Sequence, residues 1–208
     1  MLPFVWSEDC LRHDPAAEIW VGVRTPATEV PARALAIREA LATAGAREVA
    51  AVAHDEEALL AVHDPALVEF LRTAWHEWTN ADLPADRVVP YVFAREGLTS
   101  GRAAANPTAV WARPGLFAYD TMTLIGPGTW EAARAATDVA LTAVDLVADA
   151  EPLVYACCRP PGHHVTRSLY GGSCYLNNTA IAARALLERF GGPVAIVDID
   201  AHHGNGTQ

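Results

Sequence analysis

An open α/β sheet with mostly parallel strands and helices on both faces is what three observations in this 208-residue sequence predict. Short apolar runs of strand length alternate with longer stretches of helical spacing, the pattern of strand–helix–strand units. Hydrophobic residues make up 51% of the chain, enough for one domain with a sizeable core. Two of the apolar runs lead directly into dense polar clusters, and such sheets bind ligands beyond the carboxyl ends of their strands.

The elements follow in order. Residues 4–6 form a short apolar run ended by Ser7, Glu8 and Asp9, a first strand. From residue 30 to about 44, Ala34, Ala36, Ile37, Ala40 and Leu41 recur with helical spacing, and Gly45 closes the helix. Residues 48–52 read as a second strand. Residues 55–62 and 65–78 read as helices opened by Asp or Asp-Pro start signals. Residues from about 80 to 127 are irregular, with Pro84, Pro90, Pro107, Pro114, Pro127 and aromatics at Tyr91, Phe93, Trp111, Phe117 and Tyr119. The segment is too apolar for a linker and is expected to form a lid or binding wall. Residues 129–150 read as a long helix and 153–158 as a strand. A helix over 180–190 closes at Gly191-Gly192, and 194–197 read as a last buried strand.

Composition removes several functions. A net charge of -10 excludes a general nucleic-acid binder, which needs a basic face. All 15 basic residues are Arg, a pattern closer to coding bias than to function. Cys10, Cys157, Cys158 and Cys174 show no CxxC spacing, so a reducing cytoplasm is the expected location. No apolar run approaches the ~18 residues of a membrane span, and no basic leader precedes residue 4.

The first polar cluster is Arg159-Pro160-Pro161-Gly162-His163-His164. A tandem His pair behind Pro-Pro-Gly belongs on a rigid loop. Two adjacent imidazoles can act as base and acid on one reaction, each needing an orienting partner on its far nitrogen. Asp198 and Asn205 of the second cluster are candidates. That cluster runs from Asp198 to Gly206, and extended geometry would point Asp198, Asp200 and His202 to one side. Asp200 and His202 could supply two of the roughly three protein ligands of a catalytic zinc. Gly204 and Gly206 suit a tight turn beside the site. The histidine pair alone reads more plainly as loop histidines, and a lone DxD or HH as capping acids and surface histidines; the full run with both glycines is much less readily explained by capping, and together the two clusters favour chemistry.

RPPGHH at 159–164, GGSCYLNN at 171–178 and DIDAHHGNGTQ at 198–208 resemble the zinc-dependent histone deacetylase and acetylpolyamine amidohydrolase superfamily. SED at 7–9, AVHDPALVEFLRTAW at 61–75 and IGPGTWEAA at 125–133 fit as well, the latter two looking most like the acetylpolyamine branch. The resemblance implies an arginase/deacetylase-like fold, with residues 1–208 the N-terminal portion of one domain. It implies hydrolysis of an acetylated amine or acetyl-lysine, one Zn2+ per site held by Asp200 and His202, and His163 and His164 as the catalytic pair. Asp198 would orient His163 and also hold a structural K+ with the backbone carbonyls of Asp200 and His202. Asn205 would face His164, Gly172 would line the substrate channel, and residues 80–127 would serve as a homodimer interface or a lid.

Departures from the pattern carry their own expectations. Family members continue well beyond the position of Gln208, and that half carries the third zinc ligand and an oxyanion-binding tyrosine. The chain is therefore expected to be a truncated portion with a gap in its sheet and low stability, in which activity can be lost. Ser173 stands where the family carries an aromatic channel wall. Met122 stands where the acetylpolyamine branch carries an acid, with Asp120 two residues earlier. A non-catalytic binding remnant of the same fold is the alternative. An arginase-like di-manganese ureohydrolase would show Asp two residues after a histidine of the metal run, where this chain has Gly204.

Overall fold

The computed structural model of the chain describes residues 1–83, 87–102 and 105–208; Pro84 of the irregular segment lies outside them. The strands are β1 Pro3–Trp6, β2 Glu18–Trp20, β3 Val23–Thr25, β4 Arg47–Ala50 and β5 Tyr155–Ala156. The helices are α1 Pro31–Thr43, α2 Glu57–Leu60, α3 Pro65–Asn80, α4 Glu96–Thr99, α5 Pro114–Phe117, α6 Thr129–Ala148 and α7 Asn178–Phe190. β1 lies at the centre of a parallel sheet of order β4–β1–β5.

Alternation along β1 explains why helices cover both faces. Val5 points to one side, where Cys10 and Ala135, Ala136, Val139 and Ala143 of α6 bury it. Phe4 and Trp6 point to the other, against Ala34 of α1, with Leu41 packed on the same cluster. Burying each of these three side chains stabilises the fold by roughly 1.5–3 kcal/mol. The expected open, mostly parallel architecture is thus present.

Local signals set the helix ends. Pro31 and Pro65 open α1 and α3, and the Asp64 carboxylate accepts the Ala66 N–H at 2.8 Å. Asn177 caps α7 through the Ala180 N–H, and Gly191 ends it at φ 67°. Gly128 precedes α6 because a Cβ there would lie 2.4 Å from the Arg12 carbonyl oxygen.

Several expectations need correction. β2 and β3 form an antiparallel hairpin that period-2 alternation did not reveal, turned at Val21 and Gly22 with φ of 49° and 79°. The helix expected over 55–62 contracts to α2, and the strand over 153–158 to the two residues of β5. Ile37 of α1 is 39% exposed rather than core-facing. The run 194–197 forms no strand: strands need a ladder partner, and among the described residues none lies beside it. Val197 and Ile199 are 84% and 94% exposed. The irregular segment packs Phe93, Val110 and Leu116 on the core and leaves Tyr91 against Trp111 at the surface. No described helix is long and apolar enough to cross a membrane.

Candidate active site

The tandem histidines sit on the loop that leaves β5. Arg159, buried, anchors its start by donating to Glu29 and to the Cys10 carbonyl. Gly162 is required where the loop crosses the α7 entry, since a Cβ would lie 2.4 Å from the Leu176 carbonyl oxygen. His163 Nδ1 then meets Asp198 Oδ2 at 2.9 Å, and His164 Nδ1 meets Asn205 Oδ1 at 2.7 Å. The Asn205 amide is oriented by its own donation to the His164 carbonyl at 3.3 Å. Carboxylate and amide oxygens only accept, so each imidazole carries a proton on Nδ1, which in the neutral ring leaves the lone pair on Nε2. The two rings lie 4.1 Å apart, tilted by 47°.

The acidic run is organised differently from an extended strand. The Asp200 N–H donates to Asp198 Oδ1 at 3.0 Å, and the His202 N–H donates to Asp200 Oδ1 at 2.8 Å. This stair of side chain-to-backbone bonds, not sheet alternation, aligns the three residues. The Asp200 N–H, then His163, holds the Asp198 carboxyl below the usual carboxylate range; His202 does the same for Asp200. The following turn returns to the histidines: the Gly206 and Thr207 N–H groups donate to the His163 carbonyl at 2.9 and 3.2 Å. A Cβ at Gly206 would lie 2.2 Å from the Val165 carbonyl oxygen.

Asp200 Oδ1 and His202 Nδ1 are 3.1 Å apart. Two ligands at about 2.0–2.1 Å on adjacent vertices of a tetrahedron stand roughly 3.3 Å apart, so this pair fits one edge of a zinc site. Among the described residues no cluster of three or more His, Cys, Asp or Glu converges on one point. The pair is open to solvent, with side-chain exposures of 50% and 79%.

Three neighbours of the histidine pair are set by long-range contacts, although the sequence singled out Tyr119 only as an aromatic of the irregular segment and Asp120 only as an acid near Met122. Tyr119 donates its hydroxyl to the His164 carbonyl at 3.3 Å and packs its ring where a Gly171 Cβ would be. Burial pushes that phenol up to about 12. The Asp120 carboxylate accepts from the N–H groups of Met122, Thr123 and Gly172 and from the Thr123 hydroxyl, at 3.1, 2.8, 2.6 and 3.0 Å. The Thr123 hydroxyl in turn accepts the Ser173 N–H at 2.8 Å. Asp120 therefore holds a turn and is not a free acid for a substrate ammonium.

That turn fixes Gly172 and Ser173 beside His164. Gly172 and Ser173 have φ of 60° and 61°, and a Cβ on Gly172 would sit 2.3 Å from His164 Cδ2. Gly172→Ala is expected to cost about 1–3 kcal/mol and to displace the His164 ring. Urea denaturation with imidazole NMR checks both; an unmoved ring would show that the contact is not tight.

Comparison with known proteins gives the chain's family. Residues 27–208 match the histone deacetylase domain family. The acetylpolyamine amidohydrolase of Mycoplana ramosa is 38% identical over 205 residues, covering 98% of this chain and 59% of that protein. Acetylpolyamine amidohydrolase 1 of Pseudomonas aeruginosa is also 38% identical over 205 residues, covering 98% and 58%. The crystal structure of acetylpolyamine aminohydrolase from Burkholderia pseudomallei superposes with a TM-score of 0.90 at 34% identity, covering 100% of this chain and 59% of that one. The chain thus spans less than two thirds of the length of these relatives.

Proposed function

Because the chain belongs to the histone deacetylase domain family, we propose that it carries the histidine half of a zinc-dependent amidohydrolase site for acetylated amines. The observation that supports this most is the pair of oriented imidazoles, His163 on Asp198 and His164 on Asn205, 4.1 Å apart. Residues 1–208 are read as one domain portion, with residues 80–127 as a substrate wall that could also meet a second copy. The names of the relatives favour acetylpolyamine as substrate, with acetyl-lysine next.

Asp200 and His202 would hold the zinc, which when bound polarises an amide carbonyl and makes a water acidic. His163 and His164 each keep a lone pair on Nε2 in the neutral ring, and the one that accepts the water's proton would then deliver that same proton to the leaving amine. Asp198 can balance a positive charge on His163, whereas neutral Asn205 offers His164 only orientation. Gly172 brings the channel backbone against His164, and Ser173 leaves the adjoining wall short. Asp198 is also assigned to a structural K+ with the carbonyls of Asp200 and His202, which accept no backbone hydrogen bond among the described residues.

The test is turnover of a fluorogenic acetyl-lysine and of an acetylated diamine by the chain in the presence of zinc, with metal stoichiometry by calorimetry. One zinc per chain and a loss of about a hundredfold or more in His164→Ala are expected. Turnover unaffected by that change would sink the assignment. Weak zinc binding without turnover would point to a non-catalytic remnant, and two manganese ions per chain to a ureohydrolase.

A further inference from the structure

His63 is a fully buried imidazole that takes no part in the chemistry above. It occupies the corner between α2 and α3, where its own N–H donates to the Leu59 carbonyl at 2.8 Å. Ring Nδ1 lies 3.1 Å from the Thr166 carbonyl oxygen, and ring Nε2 accepts the Asn177 N–H at 2.9 Å. A carbonyl can only accept and a backbone N–H can only donate, so the ring's single proton must be on Nδ1. Burial lowers the basicity of the ring, in keeping with a neutral form.

Both partners lead to the tandem histidines. Thr166 follows His164 by two residues, and the Asp64 N–H grips the next carbonyl, that of Arg167, at 2.8 Å. Asn177 is a hub: its Oδ1 caps α7, and its Nδ2 donates to the Val165 carbonyl at 3.1 Å and to the Thr207 hydroxyl at 3.2 Å. Thr207 donates its N–H to the His163 carbonyl. One ring therefore fastens the loop of His163 and His164 on one side and, through Asn177, the turn that closes over it on the other. A leucine could fill the same volume but could make neither bond.

We propose that His63 is a positioning residue: its Nδ1–H tautomer holds the His163–His164 loop and the 204–207 turn in mutual register. The inference rests on the hydrolase reading only in treating that pair as catalytic.

The experiment is a long-range 15N–1H correlation on the full chain labelled at histidine nitrogens, followed by His63→Leu, His63→Gln and His63→Asn. The expected result is a neutral Nδ1–H ring for His63 at pH 7; an Nε2–H or doubly protonated ring overturns the proposal. In His63→Leu the ring signals of His163 and His164 should shift. They should move back toward their original positions in His63→Gln, which restores an acceptor for Asn177, or in His63→Asn, which restores a donor for Thr166. Unmoved signals in a folded His63→Leu overturn it too, and if that variant does not fold, His63→Gln and His63→Asn are compared directly with the parent chain. With turnover measured, kcat should fall about tenfold at unchanged KM. A chain without turnover that still shows the tautomer and the shifts would sink the hydrolase reading and leave His63 in its role; turnover with unmoved rings would do the reverse.

Discussion

Arg159→Met is expected to destabilise the chain by about 3–5 kcal/mol and to lower its unfolding midpoint by roughly 10 °C. Arg159 and Glu29 are 3% and 4% exposed, so neither charge can turn to water. The guanidinium donates from Nε to Glu29 Oε1 at 2.8 Å, from Nη1 to the Cys10 carbonyl at 2.8 Å and from Nη2 to the Glu29 carbonyl at 3.0 Å. Methionine fills the space but strands one carboxylate and two carbonyls in the interior. Arg33 also pairs with Glu29 and softens the loss, placing it toward the lower end of the range. The double variant Arg159→Met with Glu29→Leu should recover most of the stability, because no charge then remains buried. Urea unfolding of the three proteins decides it; a single variant within about 1 kcal/mol of the parent would show that the pair is not what holds this region.

Stability is also expected to fall steeply as the solution becomes mildly acidic. His13 is 2% exposed, bonded through Nδ1 to the Thr129 hydroxyl at 3.0 Å and edge-on to the Tyr175 ring. Burial first, and the Arg159 charge second, bring its pKa down to about 3. An unfolded imidazole titrates near 6.5, so on lowering the pH the unfolded chain takes up the proton first. The His13 contribution is complete above about pH 6.5 and is lost progressively toward about 3, at roughly 1.4 kcal/mol per pH unit. From pH 7 to 5 that is about 2 kcal/mol for His13 alone. His63, lowered mainly by burial, acts in the same direction. Denaturation at the two pH values should show the drop in the parent chain and a smaller one in His13→Gln. Equal slopes would mean that His13 is not buried in its neutral form.

What could be read from residues alone was whatever has a short-range signature. Prolines at 31 and 65 and the glycine at 191 marked helix ends to within a residue or two. The tandem histidines and the DxDxHH run stood out as polar clusters, and Asp198 and Asn205, candidates there for orienting partners, lie within hydrogen-bond distance of His163 and His164. Strand lengths could not be read, since a strand exists only by virtue of a neighbour: β5 pairs over two residues and 194–197 over none among those described. The bracket of Tyr119, Asp120 and Thr123 was equally hidden. Its bonds reach 45 to 52 residues along the chain, and no local pattern encodes a contact at that range.

The run that carries Val197 and Ile199 has a bearing on how the molecule behaves in bulk. Its apolar side chains face water and its peptide groups have no ladder to join, so it is a template for intermolecular pairing. The charge of -10 keeps molecules apart at long range, but salt at about 0.15 M screens that repulsion beyond ~8 Å. Dilute, low-salt solutions are then expected to favour dispersed chains, and added salt or protein to favour association in which this run takes part.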